Sequence, residues 1–188
     1  MNFLGLSGSL RAASINSMLL RAMVRLAPGD INVSIFNGLG KLPLFNPDLE
    51  ASLPASVVTF HGAVADADAL LFASPEYAHG VTGTIKNALD WLVGFEPFAS
   101  KYVAVLNSSP RAHHADDALR ETLRTMAAVI VESASITIPL LGAGLDESAI
   151  VATPSVSGPI RESLRAIQQA VASGRGSLTA QFPAYTQR

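Results

Sequence analysis

The stretch Leu4-Gly-Leu-Ser-Gly-Ser-Leu-Arg-Ala-Ala-Ser-Ile-Asn16 decides how the chain is read. Met1 to Leu6 is mostly apolar, as a strand in the middle of a parallel sheet must be. A polar loop follows. Ser14 then stands where a helix N-cap belongs, with Ile15, Leu19, Ala22, Met23 and Leu26 at helical spacing behind it. A loop between a strand end and a helix start presents unbonded backbone N–H groups and the positive end of the helix dipole. This one adds Arg11 and the hydroxyl or amide groups of Ser7, Ser9, Ser14 and Asn16. An arginine among so many small donors points to phosphate.

The letters exclude two common phosphate sites. There is no G-x-x-x-x-G-K-[ST], and Gly5 and Gly8 lead into Ser9 and Leu10 rather than completing G-x-G-x-x-G. Side chains of Ser, Arg and Asn can instead surround a terminal monophosphate and donate to all of its oxygens. A monophosphate cofactor such as FMN therefore fits better than NAD or FAD. The plainer alternative is a capped helix with Arg11 in solvent. Gly5-Leu-Ser-Gly-Ser9 also approaches the hydrolase elbow G-x-S-x-G, but without the last glycine the tight turn has no room, so Ser7 is not expected to be a nucleophile.

Outward from this stretch, apolar segments alternate with helical ones. Further strands are predicted at Asn32–Phe36, Ala69–Ala73 and Tyr102–Leu106 and near Ala134–Ile138; further helices at Pro54–Ala67, Gly83–Val93, His114–Ala128 and Gly158–Ala172. Alternation of this kind implies one α/β domain over residues 1–188, its parallel sheet covered by helices on both faces. The polar residues from Ser173 onward are expected to be loosely held, leaving about 174–188 as a tail that a neighbouring subunit could order. Ligands of such sheets sit at the carboxyl ends of the strands. Three loops there are rich in hydrogen-bonding groups: Ser7–Asn16, Ser74–Gly80 and Asn107–Ala112. Their convergence on one crevice is the expected cofactor site.

Bulk properties narrow the classes. The net charge of −2 gives no electrostatic case for nucleic acid or an anionic membrane, and no apolar run reaches the length of a membrane span. Cysteine is absent, so disulfides and thiolate metal sites are excluded and redox chemistry has to come from a bound cofactor. The opening residues lack a secretion-signal pattern, which makes cytoplasmic residence the expectation. Hydrophobic residues at 49% against 15% charged further suggest a face buried against a second copy.

Four motifs in order carry a resemblance. Gly8-Ser-Leu-Arg-x-x-Ser-x-Asn16, Leu42-Pro-Leu-Phe-Asn-Pro-Asp48, Ser74-Pro-Glu-Tyr77 and Gly83-Thr-Ile-Lys-Asn-Ala-Leu-Asp-Trp-Leu92 resemble the NADPH-dependent FMN reductase family, which includes flavodoxin-like quinone, azo and chromate reductases. The resemblance covers about Phe3 to Leu106. It implies a flavodoxin-like three-layer sandwich, a five-stranded parallel sheet of order 2-1-3-4-5. It also implies FMN as cofactor, with Ser9, Arg11, Ser14 and Asn16 on the phosphate, Pro75, Glu76 and Tyr77 lining the ring, and Ser108 and Arg111 in the loop that closes the other side.

The activity so implied is hydride transfer from NADPH or NADH to flavin and on to a small-molecule acceptor: quinone-like, azo, metal-oxyanion or free flavin. No side-chain acid or base is assigned. Arg111 is the candidate reader of the 2′-phosphate that separates NADPH from NADH. A homodimer or homotetramer is implied too, with the helix carrying Asn87, Asp90 and Trp91 as a candidate contact. Two departures touch the ring end. The family usually has Asn after Pro-Glu-Tyr, where this chain has Ala78 and His79, and its third loop is usually glycine-rich, where this chain reads Ser108-Ser-Pro-Arg-Ala-His-His114. The rival readings are a flavin-binding electron carrier and a non-catalytic member with weakened FMN binding. Lys86 and Asp90 read as an exposed i,i+4 ion pair, Trp91 as core or interface. His113, His114, Asp116 and Asp117 read as an acidic helix start, since adjacent histidines cannot share one helical face to hold a metal.

Overall fold

Residue alternation in three strands sets the architecture. In β1 (Asn2–Ser7), β3 (Ala69–Ala73) and β6 (Tyr102–Leu106), successive side chains point to opposite faces and both sets are buried. Phe3, Leu71 and Ala104 join one core with Leu19, Leu20 and Met23 of α1 (Ile15–Leu26), Ile150 of α5 (Glu147–Ala152) and Ile160, Leu164 and Ile167 of α6 (Pro154–Gln181). Leu6, Leu70, Phe72 and Val105 join the other, against Val57, Phe60 and Val64 of α2 (Ala55–Asp66), Ile85 and Leu89 of α3 (Gly83–Asp90) and Leu119 and Leu123 of α4 (His113–Thr125). The structure, a computed structural model, describes residues 1–181, with side chains described as far as Gly174.

With β2 (Asn32–Ile35) and β7 (Val129–Ile130), the strands form one parallel sheet in the order β2-β1-β3-β6-β7. Between β3 and β6 the chain also forms a small antiparallel hairpin, β4 (Glu76–Tyr77) with β5 (Gly80–Val81). Counted within the main sheet alone, the order is the expected 2-1-3-4-5. The chain leaves β1 for β2 on one side and returns for β3 on the other, so the switch point lies between the carboxyl ends of β1 and β3. Among the described residues no helix is long and apolar enough to cross a membrane.

Three expectations need correction. The last strand was expected near Ala134–Ile138, but the paired residues are Val129 and Ile130, opposite Tyr102 and Val103. A turn of 3-10 helix at Glu132–Ala134 then breaks the edge, the Ser135 hydroxyl accepts the Val105 N–H at 3.0 Å, and pairing resumes as a single parallel bridge of Asn107 with Thr137. The edge is thus built in two pieces, and periodicity caught only the second. Secondly, the last helix starts at Pro154, whose fixed φ and missing N–H suit a first helical position, and runs to Gln181. Of the expected tail, 174–181 continues this helix and 182–188 lies outside the described residues. Thirdly, Ser74–Gly80 is not plain loop, because it contains β4 and the hairpin turn.

That turn is strained. Ala78 and His79 have φ of 49° and 59°, the pair of positive values that a two-residue type I′ connection requires and that Asn-Gly usually supplies. Each side chain there costs on the order of 1 kcal/mol. Replacing Ala78 by Asn is expected to raise the melting temperature by roughly 1–4 °C, equivalent to about 0.5–1 kcal/mol in a protein of this size, measured by thermal denaturation without ligand.

Candidate functional site

The first loop is set by two short contacts. The Gly8 N–H donates to the Ala73 carbonyl at 2.8 Å, which ties the end of β1 to the end of β3. A Cβ on Gly8 would stand 2.3 Å from Ser74 Oγ and 2.8 Å from Ile85 Cγ1, so only glycine lets the loop pass there. The chain then turns through Ser9 and Arg11 into α1. Ser14 is the N-cap, and its hydroxyl accepts the Ser17 N–H at 3.3 Å. The N–H groups of Ile15 and Asn16 precede it and have no intrahelical acceptor.

Arg11, Ser14 and Asn16 line a cleft of about 560 Å³ with Pro75, Glu76 and Tyr77 on a second wall and Ser108, Ser109, Arg111 and Ala112 on a third. Asn16 is buried, and its Oδ1 accepts the Ser108 hydroxyl at 3.0 Å, which joins the first wall to the third. The third wall is braced internally: Asn107 Oδ1 accepts the Ser109 N–H at 2.9 Å, and Asn107 Nδ2 donates to the Ala112 carbonyl at 3.2 Å. Arg21, Arg25, Arg120 and Arg124 each have a carboxylate partner; Arg11 and Arg111, the two that reach the cleft, have none among the described residues. Two arginines without a carboxylate partner among the described residues mark the cleft as a place for anions.

Glu76 is different. Its Oε2 accepts the Ala115 N–H, in the first turn of α4, at 2.9 Å. The N-cap position of that helix is Ala112, which has no side-chain acceptor, so the carboxylate supplies the cap from 39 residues away. That hydrogen bond holds the Glu76 carboxyl below the usual carboxylate range; partial burial opposes it, and His114, His79 and His113 add a smaller lowering.

These features have a common origin. The family model for NADPH-dependent FMN reductase matches residues 1–140. The chain belongs to that family. Two sequence relatives are similar over part of their length. An NAD(P)H-dependent FMN reductase of Pseudomonas aeruginosa is 40% identical over 109 residues, 56% of this chain and 58% of the relative. A 2-hydroxy-1,4-benzoquinone reductase of a Burkholderia species is 43% identical over 84 residues, 45% of each. The matched segment thus spans about half the length of these relatives. Among solved structures, the flavoenzyme NAD(P)H:(acceptor) oxidoreductase FerB of Paracoccus denitrificans is 25% identical with a TM-score of 0.75, over 89% of this chain and 97% of that one. The fold of this FMN reductase family member is flavodoxin-like.

All nine residues that the sequence nominated for a cofactor, Ser9, Arg11, Ser14, Asn16, Pro75, Glu76, Tyr77, Ser108 and Arg111, line this one cleft. Ser7 does not. It bonds the Ser17 hydroxyl at 2.7 Å and faces a second cavity of about 350 Å³ behind the loop. Ala13, Ile15, Ser109 and Ala112 were missed within loops already singled out; Leu141 was missed altogether. Nothing local marks Leu141, which the structure brings in through N–H donation from Leu140 and Leu141 to the Ser108 carbonyl. Asn87 and Trp91 turn inward, both donating to the Pro43 carbonyl at 2.9 Å, so they brace the 42–48 connection rather than face outward. Lys86 and Asp90 do pair. Among the described residues no group of three His, Asp or Glu stands close enough to hold a metal.

Two outcomes follow from this geometry. Gly8→Ala should lower the urea midpoint, at a cost of about 1–3 kcal/mol, because Ser74 and Ile85 must shift to admit the methyl group. The lowered Glu76 carboxyl makes the native state prefer its charged form. Its contribution to stability is therefore present in full above the ordinary carboxylate range and lost as pH falls through the native-state value. Melting temperatures of the wild type and Glu76→Gln, compared across acidic pH, should differ most at the upper end and converge at the lower.

Proposed function

We propose that this chain is an FMN-dependent oxidoreductase that takes a hydride from NADPH or NADH and passes electrons to a small planar acceptor of the quinone type. One observation carries the reading. The cleft at the switch point brings an open helix N-terminus and an arginine without a carboxylate partner among the described residues together with the Pro75–Tyr77 wall. A phosphorylated ring compound needs both. The relatives named for FMN, NAD(P)H and a benzoquinone support the same chemistry.

The residues fit FMN by the test of Gly8, whose missing side chain lets the backbone run close behind the cleft, and by the donor set of Ser9, Arg11, Ser14 and Asn16, which carries hydroxyls, an amide and a guanidinium, while the one carboxylate in the lining, Glu76, is engaged by the Ala115 N–H. Ser9, Arg11, Ser14 and Asn16 would hold the phosphate, with the N–H groups that open α1. Pro75 and Tyr77 would flank the ring, and Ser108 and Arg111 would close the third side. Tyr77 stands exposed at the cleft and offers an aromatic face to whatever enters. The bound flavin would supply the redox chemistry, as a hydride acceptor that can hand its electrons on. The protein's part is to bind, orient and exclude water. We further propose that a second copy of the chain covers the exposed Leu44 and Val93, which flank the inward-facing Asn87 and Trp91.

Flavin-free protein titrated with FMN and then given NADPH without oxygen should bind the flavin and bleach its absorbance. Binding without bleaching would favour an electron carrier, and no binding would sink the reading. Arg11→Ala should weaken FMN binding about thirtyfold, the equivalent of one charge-assisted hydrogen bond of about 2 kcal/mol. The same variant should leave the weaker binding of riboflavin, which has no phosphate, unchanged in a parallel fluorescence titration.

A further inference from the structure

The two departures from the family's usual letters meet in space. The His79 ring, at the tip of the β4–β5 hairpin, stacks on His114 in the first turn of α4 with centroids 4.3 Å apart and planes 28° from parallel. The neighbouring His113 ring lies 4.1 Å from His114, tilted by 36°. Three residues before His79, the Glu76 carboxylate caps the same turn through the Ala115 N–H. The hairpin and α4 are therefore joined twice, once by a charge-assisted hydrogen bond and once by ring stacking.

The joined elements are the two cleft walls. Pro75–Tyr77 leads into the hairpin, and Ser108–Ala112 leads into α4. The first of these walls is short, ends in a strained turn and has only a two-residue antiparallel ladder of its own. The second cannot cap its helix from within, because Ala112 has no side-chain acceptor. Each lacks what the other provides.

We propose that Glu76, His79 and His114 form a clasp that fixes the separation of these walls, and that they act as positioning residues for the slot where a planar ring and its reaction partner stack. The proposal rests on the flavin reading for the identity of the ring, but the clasp itself does not. Contact across the slot passes through Pro75, Tyr77 and Arg111, and the clasp residues act through those. In this account the His79–His114 stack holds closed a turn whose two residues both carry positive φ.

The test compares four proteins: the wild type, Glu76→Ala, the double variant His79→Ala with His114→Ala, and the double variant His79→Phe with His114→Phe, which keeps the stack and removes the imidazoles. In flavin-free protein, hydrogen exchange at the Ala115 amide should rise at least about tenfold in Glu76→Ala and in the alanine pair, and return close to wild type in the phenylalanine pair. With FMN and NADPH supplied, kcat/KM for a benzoquinone should fall about tenfold or more in the first two and recover in the third, since small misplacement of stacked partners is costly. FMN affinity, carried by the Arg11 end, should move less than about threefold in the two histidine double variants. Exchange unchanged in Glu76→Ala and the alanine pair, or a phenylalanine pair no better than the alanine pair, would overturn the clasp. Failure of the wild type to take up FMN would instead overturn the flavin reading, and the exchange measurement would still decide whether the walls are clasped.

Discussion

The hydrogen bond from the Gly8 N–H to the Ala73 carbonyl, at 2.8 Å, joins the ends of the two central strands at the place where their loops diverge. Everything at the cleft depends on how closely the backbones approach there. Ser74 and Ile85 occupy the space a Gly8 side chain would need, and Ile85 belongs to the core under α3. Because β1 and β3 are pressed together at that level, the loop after β1 has to swing over the sheet edge and into α1. Its side chains then line a crevice instead of filling the core. The topology opens the switch point, but this approach of two backbones gives it a floor.

Two helices, α1 and α4, begin at that crevice, and their N-termini are treated oppositely. α1 is capped by the neutral Ser14 hydroxyl and has the unpaired Arg11 just ahead of it. α4 receives the Glu76 carboxylate, so the positive end of its dipole is already matched by a fixed negative charge. The α1 start is thereby left as the open positive end, while the start of α4 is already matched by the Glu76 carboxylate. The cleft has a direction, set by which helix start is left open.

Local pattern made much of this legible. Every strand with both faces buried was found with its boundaries close, since β1, β3 and β6 are short apolar runs that only a doubly covered strand explains. The first cleft wall, Ser9 to Asn16, was legible because its polar residues are contiguous in sequence. What escaped was either short or non-local. The β7 edge is two residues followed by a break that the Ser135 hydroxyl bridges, and no periodicity survives at that length. Leu141 enters the cleft through bonds to Ser108, 33 positions away. Glu76 was rightly placed at the cleft, yet its cap on α4 spans 39 residues and has no trace in either segment alone.

The Ala78-His79 turn shows why a local rule fails where two elements share a constraint. Read by itself, the dipeptide is a poor type I′ turn, because neither residue favours positive φ as Gly or Asn does. The strain persists because the turn is held from outside. Stacking of His79 on His114 fixes the tip, the Glu76 cap fixes the base, and α4 in turn has no other acceptor for its Ala115 N–H. An Asn-Gly turn would close the same two-pair hairpin with less strain and lean less on α4. Here each wall braces the other through the Glu76 cap and the His79–His114 stack, so the width of the slot between them is a property of the fold rather than of either loop.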